Sequence, residues 1–136
     1  MKRGFTLVEL LVCLAVVALL ALVALPSWRT VVMRVQRSDA TAALHALAAA
    51  QERYRLVHGH YASAAAPAPP VGLGLGLSER GWYELRVDHA DATGFRASAR
   101  AAAGSPQAAD TACVVFTIDQ AGRRGSVPAD PETCWR

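Results

Sequence analysis

Glu9 is the only charged side chain between Phe5 and Leu25, in the run FTLVELLVCLAVVALLALVAL. A carboxylate at membrane depth costs ~2.5–3.5 kcal/mol on insertion scales and marks function by default. It needs a cation, and the run supplies none. Cys113 and Cys134 form a second candidate pair. Exported to an oxidising compartment, they should bridge and close a loop worth roughly 3 kcal/mol; otherwise they are two reduced core thiols. Cys13 sits inside the apolar run and reads as a small apolar side chain.

Weaker constellations carry less. His58-Gly-His60 has the look of a metal pair, but neither His45 nor His89 is placed as a third ligand by spacing, so these read as solvated histidines. Glu84 and Asp88 share a strand face with Trp82 and Arg86, the pattern of a solvated face. No Ser/His/Asp or Cys/His set has supporting context, so neither an enzyme nor a bound cofactor or metal is expected. Arg123-Arg124, with Arg136, makes a small basic patch flanked by Asp119, Asp130 and Glu132. It reads as a solvated turn or a contact to a neighbouring subunit, with DNA as the alternative ligand.

The elements that carry these residues differ sharply in solvent. The chain is 53% hydrophobic with 18% charged residues, but from Leu10 to Leu25 no side chain is polar. Beyond Pro26 the composition is that of an ordinary globular domain. One span and one modest domain fit 136 residues, which excludes a plain cytosolic globule, a disordered protein and a multi-span membrane protein. Residues 5–25 as a helix reach roughly 30 Å, one hydrocarbon thickness. Lys2 and Arg3 precede the span and favour a cytoplasmic N-terminus. The net charge of +3 owes two units to that pair, and the remainder is too weak to imply nucleic-acid binding by itself.

Pro26 lacks an N–H, so a kink is expected there. Trp28, Val32, Val35, Ala42, Leu44, Leu47, Ala48, Tyr54 and Val57 then recur at spacings near three and four, with Arg29, Arg34, Arg37, Asp39, Gln51, Glu52 and Arg55 mostly on other faces. The pattern predicts one helix from about Thr6 to Val57, ending at Gly59. Residues 59–80, with an Ala/Pro stretch at 62–70 and Gly72-Leu-Gly-Leu-Gly-Leu77, read as a connecting loop. Alternation predicts strands over Trp82–Asp88 and Gly94–Arg100, and Cys113–Ile118 is continuous and β-rich. Joined in order they form an antiparallel meander backed by the helix. A Pro/Gly-rich tail follows the turn Asp119-Gln-Ala-Gly122.

Lys2-Arg3-Gly4-Phe5-Thr6-Leu7-Val8-Glu9 resembles the class III signal of type IV pilins and pseudopilins. That resemblance implies cleavage between Gly4 and Phe5 by a prepilin peptidase, N-methylation of Phe5, and a mature chain from residue 5. It also implies that the new amine pairs with Glu9 of a neighbouring subunit, that Pro26 matches the family's helix proline, and that Ala18 stands where many members have glycine. Arg37-Ser-Asp-Ala, Gln51-Glu-Arg-Tyr54, Thr117-Ile-Asp-Gln-Ala-Gly122 and Cys134-Trp135 are similar to PilE-type minor pilins. The expected fold is therefore α+β: a long helix on a sheet of three to four strands, with a Cys113–Cys134 loop. The expected segments are a leader at 1–4, a membrane and assembly helix at 5–27, its amphipathic half at 28–58, the loop at 59–80 and the sheet with its tail at 81–136. The implied partners are other pilins, the peptidase/N-methyltransferase and an inner-membrane assembly platform, first in the inner membrane with the domain in the periplasm, then in the pilus. The rivals are a type II secretion pseudopilin, a DNA-binding pilin acting through Arg123 and Arg124, and an ordinary membrane-anchored periplasmic protein.

Overall fold

The computed structural model describes residues 6–136, with residues 24–27 described through their backbone only. Gly4, Phe5 and the Pro26 side chain, with the bend expected there, lie outside the described residues. The chain divides after Met33 into two compact units.

The first unit is helical. Helix α1 spans Leu7–Gln36 and continues into the second unit. Thr6 caps it: its Oγ1 accepts the Glu9 N–H at 3.2 Å, which satisfies one orphan donor of the first turn. The described side chains from Leu7 to Val23 are exposed. The helix Leu7–His58 contains an 18-residue window of mean hydropathy 3.0, long and apolar enough to cross a membrane.

The second unit holds the core. The long helix expected from about Thr6 to Val57 is present as Leu7–His58. At Arg37, whose backbone stays helical at φ −59° and ψ −23°, the regular ladder is interrupted for one residue, and helix α2 runs from Ser38 to His58. Beside it Ser38 Oγ donates to the Val35 carbonyl at 2.7 Å, a local bond that competes with the helical ladder. Long-range forces act there too, because the Arg37 guanidinium is drawn to Asp110. Alanine, leucine, glutamine and arginine favour helix throughout α2. Gly59 ends it as expected, with φ 78° and its N–H on the Arg55 carbonyl at 2.8 Å.

Four strands follow: β1 (Tyr83–Ala90), β2 (Phe95–Ala101), β3 (Cys113–Asp119) and β4 (Arg124–Pro128). They make one antiparallel sheet in the order β1-β2-β3-β4. Residues 124–128, expected to be an irregular tail, form the last strand. A short 3-10 turn, Pro106–Ala109, joins β2 to β3, and a one-turn helix α3, Pro131–Cys134, follows β4. Tyr83, Leu85, Phe95, Ala97, Ala99, Phe116 and Ile118 face inward and meet Ala40, Leu44 and Leu47 of α2 in one buried cluster. Strand alternation thus assigned the inner faces of β1 and β2 correctly.

The helical stripe was less well placed by periodicity. Val57 is 77% exposed, and Val35 and Ala42 are exposed as well. Gln51, expected on a polar face, is fully buried. Its amide exchanges two 2.8 Å bonds with the backbone of Ala62, pinning the connecting loop to the helix. Arg37 and Asp39 are buried too. Tertiary partners that spacing cannot reveal turned these three side chains inward.

Candidate functional site

The residues singled out by sequence fall in separate places. Glu9 lies in the first turn of α1, exposed and without an ion-pair partner among the described residues. Thr6, three residues earlier, is the residue that sequence reasoning missed here, although Thr-x-x-Glu is itself a helix-start signal. Cys113 opens β3 and Cys134 closes α3; they are bridged, with Cα atoms 5.7 Å apart. Cys13 is free and exposed on α1.

Around the bridge a second set of bonds fixes the C-terminal segment. Arg37 Nε donates to Asp110 Oδ2 at 2.6 Å and its NH2 group to Asp110 Oδ1 at 3.0 Å, a bidentate pair out of solvent. The same guanidinium reaches the Thr133 carbonyl at 3.4 Å. Trp135 donates its indole N–H to the Gly125 carbonyl at 2.9 Å, on β4. Its ring meets Phe116 and His45 edge-on and carries the Arg124 guanidinium 5.3 Å from its centroid.

Arg123 and Arg124 are adjacent in sequence but differently held. Arg123 Nε donates to Asp119 Oδ2 at 2.7 Å across the β3–β4 turn, and Arg124 stacks on Trp135. Burial alone would raise the Asp119 carboxyl. Hydrogen bonds from Arg123, side chain and backbone, and from the Ala121 N–H hold it below the usual carboxylate range. Arg96, which pairs with Asp119 across β2 and β3, shares a cleft of about 320 Å³ with Arg123 and Arg124. Its guanidinium has no carboxylate partner among the described residues. The sequence signal for Arg96 was its place opposite Phe95 and Ala97 in the β2 alternation.

His58 and His60 meet around the Tyr54 ring, their own ring centroids 6.3 Å apart, with neither His45 nor His89 beside them. His58 lies over Tyr54 at 4.2 Å, and His60 hydrogen-bonds through Nδ1 to the Tyr61 carbonyl at 3.0 Å. His89 bonds Asp91 in an exposed turn. Asp91 accepts bonds from the Thr93 hydroxyl and from the Thr93 and Gly94 N–H groups, which hold its carboxyl well below the ordinary range. Among the described residues no three His, Cys, Asp or Glu side chains are grouped to hold a metal ion.

Comparison with known proteins gives this arrangement a class. The fold is that of a pilin: the crystal structure of PilV, a non-core minor pilin of Neisseria meningitidis, superposes with a TM-score of 0.54 at 17% identity, covering 72% of this chain and 89% of that one. A family model for the prokaryotic N-terminal methylation motif matches residues 1–25. A second, described as type IV minor pilin ComP, DNA uptake sequence receptor, matches residues 26–117, and the chain belongs to that family. A fimbrial protein of Neisseria meningitidis serogroup A is 38% identical over 63 residues, 46% of this chain and 37% of the relative. The type IV major pilin PilE1 of Neisseria gonorrhoeae is 38% identical over 61 residues, 45% of this chain and 37% of that protein. The match therefore spans little more than a third of these relatives. The chain is a membrane-anchored type IV pilin with the sequence of a minor one.

Proposed function

We propose that this chain works as a minor subunit of a type IV pilus and that its soluble domain receives DNA. The observation that carries this reading is the family match over residues 26–117. In this reading a prepilin peptidase cuts between Gly4 and Phe5 and the new Phe5 amine is methylated. That amine, with an ordinary pKa of roughly 7.7–8.0, is largely cationic and pairs with Glu9 of a neighbouring pilin. Lys2 and Arg3 hold the N-terminus in the cytoplasm, the domain faces the periplasm, and the assembly platform draws the subunit into the filament. Glu9 gains its counter-charge only on assembly and so sets register. Mass spectrometry of the mature N-terminus reads the cut and the methyl group directly. Glu9→Ala is expected to stay in the membrane; its recovery in sheared filaments at the unsubstituted level would overturn the role.

For DNA, Arg96 is the favoured phosphate contact, with Arg123 and Arg124 beside it in the same cleft. An unpaired guanidinium on a strand is preorganised for phosphate, whereas Arg123 must share its charge with Asp119. A mobility shift of duplex DNA by residues 34–136, a compact unit with its own core, tests this. Arg96→Ala should weaken binding and lower the slope of log K against log salt by about 0.9. Absence of any shift at low salt would remove DNA from the reading and leave the pilus role standing.

A further inference from the structure

Two donors without partners meet on the outer face of the sheet, the face turned away from α2. Strand β2 points Arg96 and Ser98 outward, since Phe95, Ala97 and Ala99 are buried against α2. By the same alternation β3 points Thr117 outward, between the buried Phe116 and Ile118. Ser98 and Thr117 stand opposite each other across the two strands. The Ser98 hydroxyl is spent on Asp88 Oδ1 at 2.8 Å. Thr117 is half-buried, and its hydroxyl has no hydrogen-bond partner among the described residues. Gly125 keeps that hydroxyl reachable. It pairs with Thr117 across β3 and β4, and a Cβ there would collide with Thr117 Oγ1. Any other residue would push the hydroxyl aside.

Thr117 and Gly125 line the cleft of about 320 Å³ that also holds Arg96 and Arg123. Asp119 lines it too, but both of its oxygens are taken. Its Oδ1 accepts the Ala121 and Arg123 N–H groups at 2.9 and 3.0 Å, and its Oδ2 accepts the Arg123 guanidinium. What the cleft leaves unspent is the Arg96 guanidinium and the Thr117 hydroxyl, beside a backbone bare of side chain. A diester phosphate has two free oxygens and one negative charge. It fits a cation for one oxygen, a small neutral donor for the other, and a floor it can approach closely. Resting on the DNA reading above, we propose that Arg96, Thr117 and Gly125 form a seat for a single phosphodiester of the duplex backbone. The guanidinium donates to one oxygen and the hydroxyl to the other, and Gly125 gives the phosphate room against the sheet. A backbone contact of this kind fixes where the duplex sits and carries no base preference.

Duplex binding by the full-length chain in neutral detergent tests the seat, with protection of Cys113 and Cys134 from alkylation showing that each variant has folded. Thr117→Val keeps the side chain's shape and removes its hydroxyl. It should weaken binding about tenfold, and equally for unrelated sequences. The slope of log K against log salt should stay the same, because no charge is lost. Thr117→Ser should bind like the unsubstituted chain, and Gly125→Ala should lose at least as much as Thr117→Val. A duplex carrying one neutral methylphosphonate, scanned along a strand, should show one position whose loss is less than additive with that of Thr117→Val. Unchanged affinity in Thr117→Val overturns the seat and leaves the DNA reading in place, as does a loss that Thr117→Ser shares. A loss confined to some sequences overturns the backbone assignment. Displacement of the duplex by millimolar inorganic phosphate at constant ionic strength assigns the seat to the free ion and overturns the duplex as its occupant. No shift by the unsubstituted chain at low salt overturns the DNA reading and the seat together.

Discussion

Arg37 is where local and distant forces meet. Its backbone stays helical, yet its side chain leaves solvent for a buried bidentate pair with Asp110. Removing either partner leaves an uncompensated charge out of water. Arg37→Ala or Asp110→Ala is therefore expected to destabilise residues 34–136 by about 3–5 kcal/mol, read as a lowered urea midpoint. Nothing in the helical periodicity distinguishes Arg37 from Arg34, since both are arginines in a polar register. The distinction comes from Asp110, on the loop after β2, and only folding brings the two together. Gln51 repeats the lesson: an amide is equally at home on a wet face or paired with a buried backbone, and Ala62 decides. By contrast the reading of Gly4, Phe5 and Glu9 rests on spacing along the chain alone, and the mature N-terminus is where it is tested.

At the scale of elements, the strands that alternate were the ones that could be read. β1 and β2 put Tyr83, Leu85, Phe95, Ala97 and Ala99 inward with period two. β4 has no such signal in Arg124-Gly-Ser-Val-Pro128. It becomes a strand because β3 offers an edge and because the bridge and Trp135 hold the following segment in place. Breaking the bridge should loosen β4 before the rest of the sheet. Cys134→Ser is expected to cost about 3 kcal/mol, with faster amide exchange concentrated in residues 124–128. Uniform exchange across all four strands would contradict that order. The glycine run of the connecting loop has its own physical cause at Gly72. A Cβ there would meet the Pro67 and Ala64 carbonyls at 2.6 and 2.7 Å. Gly72→Ala should cost about 1–3 kcal/mol by forcing the loop apart, seen as a lower melting temperature.

For the molecule as a whole, charge sets a pH window. The Asp91, Asp119 and Asp130 carboxyls are all held below their ordinary range in the folded state. A lowered folded pKa contributes stability above the unfolded value of about 3.9, and that contribution is lost as pH falls through the folded values. The opposite limb belongs to Tyr83. Burial, with the Asp110 charge nearby, pushes its phenol well above the ordinary range. Its contribution is complete below about pH 10 and is lost as pH rises through the folded value. Thermal unfolding of residues 34–136 should thus be flat near neutrality and fall at both extremes. Asp119→Asn should flatten the acid limb and leave the alkaline one unchanged.

The indole of Trp135, described above as a fastener on β4, has a second effect. β4 ends the sheet, and an end strand presents unpaired backbone groups to any extended peptide nearby. By bonding the Gly125 carbonyl, the indole ties β4 to the segment after α3, and Pro128 has no N–H to offer a strand laid beside it. The last strand thus gives a neighbouring extended peptide an incomplete row to pair with, which disfavours strand-to-strand stacking of the domain.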